Sequence, residues 1–210
     1  MICPLCSADN CPETDGDTRR TYHCCSSCTL VFVPEKYHYT KGQERKRYDL
    51  HDNTTGNKGY VRFLGEVAGV IANVAAPEAR ILDFGCGEKA VLTGLLRKRG
   101  GRCDCYDPLY DHSLPDSTVR YDVIVLCEVI EHLRNLRDTL NTIDALLKND
   151  GLVLVRTRCY PETEKLTKWW YAQDMTHINF FSSRALEVAA GFIRRRFERT
   201  SFEDIFLFCG

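Results

Sequence analysis

The sequence has almost no net charge: 28 lysines and arginines face 29 aspartates and glutamates, leaving −1 over 210 residues. A chain with no global basic field has little to hold a nucleic-acid backbone, so an RNA or DNA partner is disfavoured, although a local patch stays open. Long apolar runs are also missing. None approaches the roughly 18 residues a membrane span needs, and the opening Met1-Ile2-Cys3-Pro4 lacks the basic start of a signal peptide. The expectation is a soluble, cytoplasmic protein with no membrane partner. The length suits one α/β domain with a small appendage.

Cysteine, by contrast, is plentiful, with 12 residues. Six lie in the first 28 residues (Cys3, Cys6, Cys11, Cys24, Cys25 and Cys28), and Cys86 follows in a glycine-rich turn. The others, Cys103, Cys105, Cys127, Cys159 and Cys209, mostly sit in apolar runs, as small buried side chains do. Without a secretion signal, a disulfide framework is not expected. Cys3-Pro-Leu-Cys6 and Cys25-Ser-Ser-Cys28 are instead two C-x₂-C knuckles. That spacing turns four thiolates toward one tetrahedral ion, as in a zinc ribbon. A four-thiolate shell has no open position, so the expected zinc is structural and supplies folding free energy to a segment with little core. Cys11, His23 and Cys24 are spare donors, but only Cys25 keeps the x₂ spacing to Cys28. Gly16 and the Asp and Thr residues around it are expected to form a loop, and Thr21-Tyr22-His23 a strand entering the second knuckle.

Leu30 to Pro34 reads as an apolar strand stopped by proline, and a polar linker follows from Glu35, with a helix expected near Glu44–Leu50. Tyr60–Val74 has the spacing of an amphipathic helix, with Val61, Leu64, Ala68 and Ile71 on one side. From Ala79 strands and helices alternate. Strands are expected at Arg80–Phe84, Arg102–Tyr106, Tyr121–Cys127 and Leu152–Thr157. Helices are expected at Ala90–Arg99, Asn135–Leu147 and Ser183–Ala190, and two last strands around Ile193–Arg199 and Asp204–Phe208. The fold class implied is α/β: a doubly wound, Rossmann-like, mostly parallel sheet ending in a strand pair.

Within it, Ile81-Leu-Asp-Phe-Gly-Cys-Gly87 is a strand ending in an acid and a glycine turn, and Asp107 ends the next strand 20 residues beyond Gly87. Glycines let backbone approach a ligand closely, and a carboxylate at the second strand tip can accept both ribose hydroxyls. The unit is built to hold a nucleoside. A dinucleotide is disfavoured because the third glycine of G-x-G-x-x-G would fall at Ala90.

Together with Tyr121-Asp-Val-Ile-Val-Leu-Cys-Glu-Val-Ile-Glu-His-Leu133 and Leu146-Leu-Lys-Asn-Asp-Gly-Leu-Val-Leu-Val155, these motifs resemble class I S-adenosylmethionine-dependent methyltransferases over residues 60–210. The N-terminal part, including Cys28 to Pro34, resembles the zinc-ribbon segment that a bacterial subset of these enzymes carries. The resemblance implies three units: a ribbon over 1–34, a linker over 35–59 and the methyltransferase domain over 60–210. It implies that Gly85 and Gly87, with Phe84 and Cys86 between and beside them, pass under the methionine end of the cofactor, with Asp83 near its amino group. Asp107 would take the ribose, with Pro108 next to it, and Cys127 and Glu128 would border methionine and substrate. Two departures are visible. Lys89 stands where relatives have a third glycine, and the stretch from Pro108 to Arg120 is too short for the usual helix and strand, so it is expected as a loop. Asp111 and Asp116 are the only nearby acids for the adenine side.

If Glu128 to His132 forms a first helical turn, then Glu128, Glu131 and His132 share one face at the ligand end of the sheet. Such donors can hold Mg²⁺, Mn²⁺ or Zn²⁺. Similar Glu-x-x-Glu-His segments in small-RNA 2′-O-methyltransferases and quinone-precursor O-methyltransferases hold a metal with a further histidine, a place His177 is set to fill. The alternative is that Glu131 and His132 make helix-capping and core hydrogen bonds. The segment Lys168 to Phe181 contains both tryptophans and follows a strand at the ligand end. Its aromatics either wall an acceptor or pack under the sheet, and Asp174 or His177 is a candidate general base. Arg45-Lys-Arg47 and Arg194-Arg-Arg196 are expected to be solvated faces. The functional expectation is methyl transfer to oxygen or nitrogen of a small-molecule acceptor. A cofactor-binding protein without catalysis and an RNA methyltransferase with its ribbon on RNA are the alternatives.

Overall fold

A computed structural model describes residues 1–14, 16 and 19–210, with backbone alone at 164. The acidic and threonine positions 15, 17 and 18 of the expected ribbon loop lie outside the described residues. A six-stranded sheet in the order β5-β4-β6-β7-β10-β9 forms the centre. Its strands are β4 (Arg80–Phe84), β5 (Arg102–Tyr106), β6 (Tyr121–Cys127), β7 (Leu147–Arg156), β9 (Arg196–Arg199) and β10 (Ile205–Cys209). The first four are mutually parallel, and β10 runs antiparallel to both β7 and β9.

Strand alternation divides the apolar residues between two layers. Ile81, Val123, Val125, Leu154 and Leu207 face the layer of helices α2 (Lys58–Val74) and α3 (Val91–Lys98). Leu82, Ile124, Leu126, Val153 and Phe206 face α4 (Leu136–Leu146) and α5 (Ser183–Phe192). Arg156 anchors the first layer from a buried position, with Nη2 2.7 Å from Glu66 and 3.0 Å from Asp204 and its guanidinium 3.4 Å from the Phe63 ring centre. After β4, α3 leads to β5 on one side, whereas the chain then crosses to β6 on the other. The crevice beyond the carboxyl ends of β4 and β6 is therefore the switch point where open α/β sheets bind ligands.

Most elements fall close to their expected bounds, but β7 begins at Leu147, well before the expected Leu152, and carries Asn149-Asp150-Gly151 within the strand. The helix expected over Glu44–Leu50 begins earlier, as α1 (Lys41–Tyr48), because Thr40 and Gln43 close a capping box at its start. Residues 108–120 contain no helix or strand, as their length requires. One pairing is not readable in the local pattern. The N-terminal strands β1 (Glu13–Thr14), β2 (Tyr22–Cys24) and β3 (Val31–Phe32) make a second sheet completed by β8 (Asn179–Phe180), which belongs to the segment after β7. Val31 pairs with Phe180 and Phe32 with Asn179. Arg20, 1% exposed, ties the same junction by donating to the carbonyls of Ala172, Asp174, Met175 and His177. Among the described residues no helix is long and apolar enough to cross a membrane.

Candidate functional site

The glycine turn is held by its neighbours before any ligand arrives. Gly85 and Gly87 take φ of 82° and 68°, a region costly for side-chain-bearing residues. A Cβ on Gly85 would meet Val129 at 2.5 Å, so this glycine is also required by packing. The N–H groups of Gly85 and Cys86 both donate to the Tyr106 carbonyl, which fastens the turn to β5. Asp107 accepts from Gly87 N through Oδ2 and from Leu109 N through Oδ1, both at 2.9 Å. Its carboxylate thus joins the turn to the loop that follows β5.

Asp83 faces away from this edge. Its Oδ2 accepts from Thr93 N at 3.1 Å and Thr93 Oγ1 at 2.8 Å, so it caps the start of α3 beneath the turn. Burial raises its pKa to about 6 against the two donations from Thr93, which lower it. Lys89 points outward and pairs with Glu88. The left-handed conformation that a third glycine would relax instead falls on Ala90, φ 42°, directly before α3.

At the end of β6 the structure corrects one expectation. Glu128 does not open a helix. It takes a left-handed φ of 54°, and only Ile130–His132 form a short 3₁₀ turn. Glu128 therefore leaves the shared face, while Glu131, His132 and His177 come together with one donor atom each within 4.8 Å of one another. The two imidazole rings meet edge to face at 4.6 Å. Each is oriented by its Nδ1–H, donated by His132 to the Thr176 carbonyl (3.0 Å) and by His177 to the Tyr171 carbonyl (2.7 Å). Among the described residues neither Nε2 has a hydrogen-bond partner, and His132 Nε2 lies 4.0 Å from Glu131 Oε1. Burial keeps the rings neutral: it lowers His132 and lowers His177 to about 3.

Glu131 is wholly buried. Tyr171 donates to its Oε1 at 2.5 Å, and its Oε2 has no hydrogen-bond partner among the described residues. Burial raises its pKa to about 7. Glu128 is raised to about 8 by burial and by the Glu131 charge, and its Oε1 is likewise without a partner. A buried carboxylate oxygen left bare costs free energy unless something absent from the protein meets it.

Asp174 is differently placed from a free base. Its Oδ1 accepts from Thr176 N and Oγ1, and its Oδ2 lies 2.9 Å from Arg47. Burial alone would raise it, but these donations and the Arg47 charge hold it at about 2. Of the aromatics in the same segment, Tyr171, Phe180 and Phe181 are buried, Trp169 packs against the N-terminal sheet, and Trp170 is 64% exposed.

Sequence reasoning did not single out α1, which covers this site. Tyr48 stacks its edge on His132 at 5.4 Å, Arg47 reaches Asp174, and Glu44 accepts from Arg134 at 2.6 Å. Arg45 lies over Tyr110, whose hydroxyl donates to Asp49. Arg45 and Arg47 of the first basic run thus also make contacts within the protein, while Lys46, Arg194 and Arg196 lie on solvated faces as expected, with Arg194 beside Asp144 and Arg195 on the Gly151 and Lys148 carbonyls. A helix of low apolar content in a polar linker offered no periodic signal for this role.

At the other end, the sulfurs of Cys3, Cys6, Cys25 and Cys28 lie within 4.8 Å of one another, with Cys3–Cys28 and Cys6–Cys25 both at 3.5 Å. A tetrahedral ion with bonds of about 2.3 Å sets its sulfurs about 3.8 Å apart, so the cluster fits zinc. Cys24 points elsewhere, and Cys11, buried beside the cluster, hydrogen-bonds to the Ala8 carbonyl.

The sequence matches the methyltransferase-domain family over residues 59–191. No curated protein matches it. Among solved structures, an O-methyltransferase family protein from Burkholderia thailandensis is 16% identical with a TM-score of 0.55, covering 79% of this chain and 60% of its own. The mitomycin 7-O-methyltransferase MmcR is 14% identical with a TM-score of 0.58, covering 81% and 59%. The chain thus spans about three-fifths of these two. Magnesium protoporphyrin IX methyltransferase from Synechocystis PCC 6803, with S-adenosylhomocysteine bound, is 15% identical with a TM-score of 0.53, covering 82% and 95%. At these identities the structures speak for a shared fold alone, and the family match over more than half of the chain supplies the rest: the protein belongs to the methyltransferase-domain family, as a class I S-adenosylmethionine-dependent methyltransferase.

Proposed function

We propose that the enzyme methylates an oxygen or nitrogen of a small-molecule acceptor bound between the end of β6, the segment 168–181 and α1. The observation that carries this reading is the buried donor set at Glu131, His132 and His177, which lies just past the switch point and ends in two imidazole Nε2 atoms and one carboxylate oxygen that have no hydrogen-bond partner among the described residues. Methyl transfer asks chiefly for in-line positioning in a preorganised pocket. The polar groups and aromatic rings here supply that for a small acceptor. With a net charge of −1 the chain has no broad basic field to hold a nucleic-acid backbone, which favours a small molecule over RNA.

In this reading the cofactor is held by the turn Phe84-Gly85-Cys86-Gly87, with Asp107 and Pro108 at the ribose and Cys127 and Glu128 at the methionine end. Asp83 supports the turn through Thr93. The set Glu131, His132 and His177 fits a divalent ion that accepts imidazole, such as Zn²⁺ or Mn²⁺, better than Mg²⁺ with its preference for oxygen and water. When bound, such an ion would polarise an acceptor hydroxyl and ease loss of its proton. Glu128 stays outside the set, and Asp174 acts as a positioning residue that fixes the loop carrying His177. The four N-terminal cysteines hold a structural zinc. Residues 1–34, 35–59 and 60–210 are best regarded as ribbon, linker and methyltransferase domain, with the ribbon joined to the domain through β8.

Calorimetry with S-adenosylhomocysteine, followed by a screen of hydroxylated and amine acceptors with and without a chelator that spares the ribbon zinc, tests the reading. Micromolar cofactor binding and metal-dependent product formation are expected. Turnover that is unchanged by chelation and by His132→Ala and His177→Ala would overturn the metal assignment, and no product from any acceptor class would overturn the choice of substrate.

A further inference from the structure

A third cluster of metal-binding donors, sharing no residue with the Glu131 set or the ribbon, lies at the glycine turn. Cys86 is the middle residue of the turn, Cys105 is the penultimate residue of β5, and His112 sits in the loop that follows. Their donor atoms lie within 4.8 Å of one another. The loop returns His112 to the strand through a backbone bridge in which Asp107 N donates to the His112 carbonyl at 3.1 Å. His112 Nε2 lies 3.2 Å from the Glu88 carbonyl, which can only accept, so Nε2 carries the proton and Nδ1 presents a lone pair. That lone pair lies 3.8 Å from Cys105 Sγ.

We propose that Cys86, Cys105 and His112 form a second, soft-metal site that takes Zn²⁺, or Cd²⁺ in its place, with two sulfurs, one nitrogen and an open fourth position.

The donor chemistry supports it. Two thiolates and an imidazole are the ligands that select zinc and its heavier congener over Mg²⁺ or Ca²⁺. A tetrahedral ion with bonds of about 2.3 Å to sulfur and about 2.0 Å to nitrogen puts those donors about 3.6 Å apart, close to the observed 3.8 Å. The second shell is present too, since the ligating imidazole must donate its other N–H to a fixed acceptor, here the Glu88 carbonyl. Binding forms two metal–sulfur bonds and one metal–nitrogen bond, and each thiol that ligates releases its proton to solvent. Cys86, Cys105 and His112 come from three separate pieces of the cofactor cradle, all of which also meet at Asp107. An ion here would clip the glycine turn, β5 and the 107–112 loop together.

Titration of the reduced, full-length protein with Cd²⁺ tests this through thiolate-to-metal absorption, which sees sulfur ligands and is blind to the Glu131 cluster. Two sulfur-bound equivalents are expected in the wild type. One is expected in Cys105→Ser and in His112→Ala, each checked for folding by circular dichroism. A second measurement needs no variant: Zn²⁺ should protect Cys86 and Cys105 from alkylation, read by peptide mapping, alongside the four ribbon cysteines. A single equivalent in the wild type, protection confined to the ribbon, or recovery of a Cys86–Cys105 disulfide instead of a metal-protected pair would overturn the proposal.

Discussion

Arg47 on α1 places its Nη2 2.9 Å from Asp174 Oδ2, so the linker helix is tied to the loop that delivers His177. The two residues lie 127 positions apart in sequence. Neither Arg47 as a solvated residue nor Asp174 as a free base describes this pair. With its pKa held at about 2, Asp174 would be too weak a base for proton transfer near neutral pH. Arg47 is 38% exposed on its side chain, so the pair itself is worth little, below about 1 kcal/mol. Asp174→Asn should cost more than Arg47→Ala, about 1–2 kcal/mol, because it also weakens the Thr176 bonds. For both variants KM for the acceptor should rise while the pH profile of kcat keeps its shape. A profile that loses its acidic limb in Asp174→Asn would instead identify Asp174 as the base.

Asp83 gives a pH dependence with a definite sign. Its folded pKa, about 6, lies above the unfolded value near 3.8, so the folded state binds the proton more tightly. This contribution is fully present below about pH 4 and is lost as pH rises through about 6. Two units correspond to about 2–3 kcal/mol. Asp83→Asn keeps an acceptor for Thr93 and removes the titration, so its stability relative to wild type should improve between pH 4 and pH 8. Chemical denaturation at the two pH values checks it, and a relative stability independent of pH would show that Asp83 titrates normally.

Ala90 carries strain that can be relieved. At φ 42° a Cβ costs roughly 1–2 kcal/mol, part of which glycine gives back through greater freedom in the unfolded chain. Ala90→Gly should therefore be neutral to stabilising by about 0.5–1 kcal/mol, a gain of a few degrees in Tm at most. Gly85→Ala should behave oppositely, since its Cβ meets Val129 at 2.5 Å on a backbone with φ 82°. Thermal melts of the two variants give a direct comparison, and a lower Tm for Ala90→Gly would show that the strain is absent.

These residues also show which parts of the molecule were legible in the sequence. The buried strand Tyr121–Cys127 announced itself as a continuous apolar run, and the turn at Gly85 and Gly87 as residues that only an unusual backbone needs. Both signals are local. The pairing of β3 with β8 joins Val31 to Phe180, and nothing in either short segment encodes the other. Glu128 escaped for a related reason. Its spacing to Glu131 and His132 suited a helix, but a strand end that bends through a left-handed residue carries no periodicity to read. The left-handed conformation of Ala90 before α3 was not legible either, since glycine content marks where such a conformation is comfortable and not where packing imposes it.

Arg156 provides the stability test for the sheet. It is 4% exposed and holds Glu66 on α2 and Asp204 before β10 at once, with a third bond to the Phe63 carbonyl. Removing Arg156 leaves the nearly buried Asp204 with only the longer Arg158 contact at 3.7 Å, while the part-exposed Glu66 turns to solvent, so the cost falls at or below the low end of about 3–5 kcal/mol. Arg156→Ala should lose about that much by chemical denaturation. Arg156→Ala combined with Asp204→Asn should lose less than the sum of the single changes, because the stranded carboxylate is gone. Strict additivity would mean that the two residues do not act together.

The ribbon should report on the candidate site although it is distant in sequence. The zinc proposed at Cys3, Cys6, Cys25 and Cys28 would fix the knuckle that leads into β3. In turn β3 pairs with β8, and Arg20 grips four carbonyls between Ala172 and His177. Those carbonyls flank the loop that orients both imidazoles, through Tyr171 and Thr176. A small segment that draws its folding free energy from an ion opens when the ion leaves. Stripping the ribbon metal, or replacing Cys25 by Ser, should therefore raise amide exchange first in residues 20–33 and then in 171–181, while strands β4 and β6 stay protected. The activity lost with His177 should fall in the same step. Exchange confined to the first 34 residues would separate the two ends of the chain and show that the β3–β8 pairing holds without the metal.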